Sequence, residues 1–166
     1  VRLLRSAILD TKVDGSGEGG GGIQALYGST VVVADCEIAG NSTTGVLCAF
    51  EGTHVSLTDS VIRDTKADAN GVLGYGIGAD VGATLEADGC TIYANTATGI
   101  SIIDNGTRVW LEDVCVLDTR RKGWGSPGGE ATTGYGDGGH GVEVQGGASL
   151  VARRCDIGQN RAVGLL

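Results

Sequence analysis

Three stretches of equal length decide the fold: residues 22–44, GIQALYGSTVVVADCEIAGNSTT; residues 76–98, GIGADVGATLEADGCTIYANTAT; and residues 141–163, GVEVQGGASLVARRCDIGQNRAV. They align without gaps, each opening on Gly and a branched residue and sharing Cys36, Cys90 and Cys155, then Asn41, Asn95 and Asn160. A second kind of unit lies between them, GVLCAFEGTHVSLTDSVIRDT at 45–65 and GISIIDNGTRVWLEDVCVLDT at 99–119. The opening glycines Gly22, Gly45, Gly76, Gly99, Gly141 and Gly164 are 23, 31, 23, 42 and 23 residues apart, so a 23-residue unit recurs with insertions of 8 and 19. Sliding the chain by 54 residues places Val1 on Val55, Leu3 on Leu57, Ser6 on Ser60, Ile8 on Ile62 and Asp10-Thr11-Lys12 on Asp64-Thr65-Lys66. The two kinds of unit alternate along the chain.

Within a unit, apolar residues alternate with polar ones instead of recurring every 3.6 residues, which specifies strands. The first strand puts Ile23 and Ala25, Val46 and Cys48, Ile77 and Ala79, Ile100 and Ile102, and Val142 and Val144 on one side. The second does so with Val31 and Val33, Val55 and Leu57, Leu85 and Ala87, Val109 and Leu111, and Leu150 and Ala152. The third uses Cys36 and Ile38, Ser60 and Ile62, Cys90 and Ile92, Val114 and Val116, and Cys155 and Ile157. Strands this short cannot bury their apolar side alone. Coiling the chain so that like positions stack in parallel, about 4.8 Å apart, does bury it.

The motif of Gly-Ile/Val, a Gly-Ser/Thr/Ala turn and Cys-x-Ile-x-x-Asn resembles the right-handed parallel β-helix of the pectate-lyase-like superfamily over essentially the whole chain. The expectation is an all-β solenoid of about seven turns, residues 1–166 in a single domain, with three short strands per turn and long loops on alternate turns. Right-handedness follows from the resemblance and from the crossover rule. The fold by itself specifies no activity.

Composition narrows the partners. With 20 Asp and Glu against 12 Lys and Arg, the net charge is −8, and no basic patch is available for nucleic acid. No apolar run reaches the roughly 18 residues of a membrane span. The 31 glycines without a triplet period exclude collagen. Five cysteines leave at least one outside any internal disulfide. Cys36, Cys90 and Cys155 recur in every second turn, about 10 Å apart, beyond disulfide reach. They read as small buried groups, and Cys115, pointing outward beside Trp110, is the candidate reactive thiol. The column is interrupted by Ser60 and Val114, which argues against zinc.

Asn41, Asn95 and Asn160 in one kind of unit, and Thr11, Thr65 and Thr119 in the other, occupy one turn and are expected to form a hydrogen-bonding ladder. Asn41-Ser42-Thr43 and Asn105-Gly106-Thr107 also match the glycosylation pattern, but the ladder accounts for Asn41. Val1 falls in a second strand and Leu166 in a first. Neither terminus is capped, so continuation into further turns or end-to-end self-association is expected.

Function is expected on the side of the insertions, Val13 to Gly21, Ala67 to Tyr75 and Arg121 to His140. The third, RKGWGSPGGEATTGYGDGGH, holds Trp124, Tyr135, Asp137 and His140, and Tyr75 repeats the Gly-Tyr-Gly context of Tyr135. Trp124, Tyr135 and Tyr75 are candidate platforms for sugar rings, and Asp80 and Glu143, with Ser101 and Gln145, candidate polar groups of a neighbouring groove. Leu26, Leu47 and Ile103 are apolar on that outward side, so loops are expected to cover part of it.

For the enzymes of the superfamily, Gly139-His140-Gly141 before Val142-Glu143-Val144, and Glu112-Asp113 before Cys115-Val116, resemble polygalacturonase motifs. The Asn-Thr-Asp and Arg-Ile-Lys motifs are missing, and Glu112-Asp113 lie away from the loops. A lyase would hold calcium on carboxylates near a base, for which Asp80 and Glu143 with Arg120, Arg121 or Lys122 are the candidates; at three turns, roughly 14 Å apart, the two carboxylates are expected to be too distant for one ion. Asp137 and His140 are the remaining candidates for acid–base work or calcium.

The expected function is a non-catalytic scaffold and carbohydrate-contact module of a larger secreted or cell-surface protein, with a polysaccharide or surface glycan as partner. The alternatives are a polysaccharide lyase or glycoside hydrolase on the same side, and a stacking fibre or adhesin module.

Overall fold

A computed structural model describes residues 1–15, 19–68, 71, 73–121 and 138–166. A first partial turn carries β1 (Arg2–Leu4) and β2 (Ala7–Leu9). Five full turns follow: β3 (Ile23–Leu26), β4 (Thr30–Ala34), β5 (Glu37–Ala39); β6 (Thr44–Ala49), β7 (His54–Thr58), β8 (Val61–Arg63); β9 (Tyr75–Asp80), β10 (Thr84–Asp88), β11 (Thr91–Tyr93); β12 (Thr98–Ile102), β13 (Arg108–Glu112), β14 (Cys115–Leu117); and β15 (His140–Val144), β16 (Ser149–Arg153), β17 (Asp156–Gly158). Leu165 then bridges to Val142 and begins a seventh layer. No helix among the described residues is long and apolar enough to cross a membrane.

Every third strand pairs in parallel. Sheet I runs β1-β4-β7-β10-β13-β16, sheet II runs β2-β5-β8-β11-β14-β17 and sheet III runs β3-β6-β9-β12-β15. Register follows the repeat: Ile8, Ile38, Ile62, Ile92, Val116 and Ile157 form one line through sheet II. Val46, Ile77, Ile100 and Val142 do the same in sheet III. The middle layers of both lines are fully buried, and each such side chain contributes about 2 kcal/mol.

The corners are left-handed. Between sheets I and II the chain turns on Asp35, Asp59 and Asp113, and after sheet II on Asp10, Asp64 and Asp118, all at positive φ. Aspartate tolerates this conformation because its short side chain bonds locally. The corner from sheet III to sheet I is different, placing Tyr27, Phe50 and Val81 at φ of 54°, 75° and 50°. Tyr27 and Phe50 stack there with ring centroids 4.3 Å apart.

Cys36, Ser60, Cys90 and Cys155 each donate to the carbonyl two residues earlier, at 2.8–3.3 Å. The column therefore favours a small donor, Ser or Cys, in these layers, and Val114 is the layer that goes without one. All five cysteines are free. Burial pushes the Cys48 and Cys90 thiols up to about 11, which keeps them protonated and unreactive.

The asparagine ladder forms as expected, but among the described residues the hydroxyls of Thr65 and Thr119 take no hydrogen-bonding part in it. Asn41, Asn95 and Asn160 accept the backbone N–H of Thr11, Thr65 and Thr119 in the preceding layer, at 2.9–3.0 Å. The Thr65 and Thr119 hydroxyls have no partner among the described residues. They pack where a Cβ on Gly45 or Gly99 would lie, 3.1 Å away in each case. Asn41 is fully buried, which leaves no room for a glycan on its side chain.

Two boundaries shift. Tyr75 and His140, expected to close their insertions, are the first residues of β9 and β15.

Candidate functional site

The outward face of sheet III is built by the strand register. One row along the stack reads Gln24, Leu47, Gly78, Ser101, Glu143. Thr44 pairs with Tyr75, and Thr98 with His140. Asp80 ends β9 opposite Ala49. Three expected site residues, Tyr75, Asp80 and Glu143, therefore share one face. Trp124, Tyr135, Asp137 and Lys122 lie outside the described residues.

A cavity of about 240 Å³ opens on this face, lined by Tyr75, Leu47, Leu73, Asp80, Ser101 and Ile103 among others. Leu73, from the second insertion, lines this cavity together with the apolar outward residues Leu47 and Ile103. Ser101 is 1% exposed. Its Oγ and the Oδ1 of Asp80 are buried without a hydrogen-bond partner among the described residues.

Electrostatics reinforce this picture. Burial, followed by the Asp104 carboxylate, raises Asp80 above the usual carboxylate range. Burial and then Glu143 raise the Tyr75 phenol, so Tyr75 and Glu143 sense each other across the face. Glu143 accepts from the Thr98 hydroxyl at 3.3 Å and from the Gln145 side-chain amide. His140 is 3% exposed at the edge of the face, beside Thr98.

Asp80 and Glu143 are closer in the stack than expected. Only β12 separates β9 from β15, so they are two layers apart, about 10 Å along the stack, and not three. The 62 residues between them include the third insertion, which lengthens the chain without adding a layer.

Glu112 and Asp113 lie elsewhere, at the end of β13 and its corner, where Arg154 binds them at 2.6 and 2.7 Å. Arg120 reaches Asp118 at 3.4 Å and Asp64 at 3.5 Å. These basic residues are engaged in surface ion pairs. Among the described residues no group of three His, Cys, Asp or Glu is placed to hold a metal ion.

The residues 6–116 match the family model described as the right-handed β-helix region. The chain belongs to this right-handed β-helix family. No curated protein and no solved structure matches it.

A second hollow on this β-helix, about 540 Å³, lies on sheet I around Trp110, Glu86 and Glu112. It is larger, but none of the buried unpaired polar atoms lines it, so the sheet III cavity is the better site. Sequence reasoning missed the part played by Gly78, which leaves the gap between Tyr75 and Ser101. The signal was present as a glycine in a row otherwise occupied by Gln, Leu, Ser and Glu.

Proposed function

We propose that the chain is a non-catalytic β-helix scaffold of a secreted or surface protein, which contacts a glycan through the outward face of sheet III. The observation that carries this reading is the convergence of Tyr75, Asp80 and Ser101 on one small cavity with unpaired polar atoms in its wall. Sugar recognition needs this combination, an apolar and aromatic surface for the ring and a few fixed polar groups for its hydroxyls. Affinity electrophoresis in gels containing neutral or acidic polysaccharides tests it. Retardation that weakens in Tyr75→Ala, without release of reducing ends or unsaturated products, supports the reading; unretarded migration in every gel overturns it.

One observation favours a hydrolase as the second reading. The Asp80 carboxyl is held toward its protonated form, as a general acid requires, and Glu143 stands on the same face. Glycoside hydrolysis uses two such carboxyl groups across the scissile bond. Reducing-end release lost in both Asp80→Asn and Glu143→Gln would establish it in place of the scaffold.

A further inference from the structure

Gly78 is not required by its backbone. Unlike Gly76, where a Cβ would lie 2.6 Å from the Gly99 carbonyl oxygen, a Cβ on Gly78 would meet Leu47 Cδ1 at 3.4 Å, Thr44 Cγ2 at 3.7 Å and Tyr75 Cδ2 at 3.9 Å. Those are ordinary contacts, and Gly78 is not in the left-handed region. What the glycine contributes is empty space. On the wall of that space, Ser101 Oγ and Asp80 Oδ1 are buried and unpaired among the described residues. Burying a polar group without a hydrogen-bond partner is unfavourable, and neither atom is bonded to the strand stack among the described residues. Both are therefore better explained by an occupant than by the fold.

We propose that the cavity beside Gly78 receives one neutral sugar unit of a glycan, whose hydroxyls donate to Asp80 and pair with Ser101 while its apolar ring surface lies against Tyr75, Leu47 and Ile103. The proposal rests on the glycan-contact reading and adds the class of sugar. Size limits the occupant, because about 240 Å³ is below the roughly 300 Å³ at which drug-sized sites begin. Charge sets its class. Asp80 lies near Asp104, Glu143 borders the same face, and among the described residues no basic side chain lines the cavity. A uronic-acid unit would bring another carboxylate among these with no cation among the described lining residues to receive it, and like charges in a desolvated setting repel strongly. A neutral hydroxyl, in contrast, supplies the missing donor.

Isothermal titration tests this with hexaoses of β-1,4-glucan, β-1,4-mannan and β-1,4-galactan as neutral probes and hexagalacturonate as the acidic one. At least one neutral hexaose is expected to bind ten times more tightly than hexagalacturonate. Gly78→Val fills the cavity and is expected to reduce that binding at least tenfold. Ser101→Ala removes only a hydroxyl, keeps the fold, and is expected to weaken it about threefold to tenfold. Hexagalacturonate bound as tightly as every neutral probe, or unchanged binding in a folded Gly78→Val or in Ser101→Ala, overturns the inference while leaving the glycan-contact reading in place. Absence of binding to all four probes overturns both.

Discussion

Asn95 accepts the backbone N–H of Thr65 at 3.0 Å and donates from Nδ2 to the carbonyl of Ile62 at 3.2 Å, both in the layer beneath its own. One fully buried side chain thus closes two backbone groups at a corner where sheet pairing has ended. Asn95→Ala leaves both unsatisfied, and at 1–3 kcal/mol for each lost partner the expected destabilisation is about 3 kcal/mol. Urea denaturation followed by circular dichroism measures it. A change below about 1 kcal/mol would mean that water satisfies the corner and the ladder is dispensable.

Gly76 and Gly78 differ by two positions on one strand and are expected to respond oppositely. A Cβ on Gly76 meets Gly99 O and Asn95 Nδ2 at 2.6 Å and Ile92 Cγ2 at 2.7 Å. Gly76→Ala must push neighbouring layers apart, at a cost of about 3 kcal/mol. Gly78→Ala adds a methyl at contact distance and is expected to change stability by less than about 1 kcal/mol. Thermal melts of the two variants decide this, and equal losses would contradict the register of sheet III.

Val81 sits at φ 50°, 44% exposed, at the corner from sheet III to sheet I. A β-branched residue in this region carries about 1–3 kcal/mol of strain, and little burial offsets it. Val81→Asn keeps a side chain while accepting the left-handed backbone. The expected gain is about 1 kcal/mol, seen as a rise of about 3 °C in Tm.

Asp80 makes stability depend on pH. Its folded pKa is raised, first by burial and then by Asp104, so the folded state holds the proton more tightly than the unfolded chain. This favours folding below the unfolded carboxylate pKa and is lost as pH rises through the higher folded value. Asp80→Asn removes the penalty of ionising at this site. Its Tm is expected to exceed that of wild type at pH 7, with the difference shrinking toward pH 3. A difference that grows on acidification would contradict the burial of this carboxyl.

The columns were legible in the sequence because period-2 alternation inside a 23-residue repeat fixes both the inward residues and their register. Ile38, Ile92 and Ile157 are aligned by the repeat alone. The spacing of Asp80 and Glu143 was not legible in the same way. Chain length counts inserted residues, whereas the stack counts only layers. Nor was the cavity. It is lined jointly by Leu73, Leu47 and Ile103 from three different turns, with buried Asp80 and Ser101 oxygens that have no partner among the described residues. Those are properties of three-dimensional packing that strand periodicity does not encode. The Thr65 and Thr119 hydroxyls show the same limit, since residue type places them at the ladder, whereas only the structure shows them packed against Gly45 and Gly99 without a partner among the described residues.

The most direct measurement is a titration of the 15N-labelled protein with a neutral hexaose that it binds, followed by amide chemical shifts. Saturable shifts centred on Tyr75, Gly78, Asp80 and Ser101, with sheets I and II unmoved, are expected. Shifts centred instead on Trp110 and sheet I, or on the Tyr27–Phe50 corner, would contradict the assignment of the glycan-contacting face to sheet III.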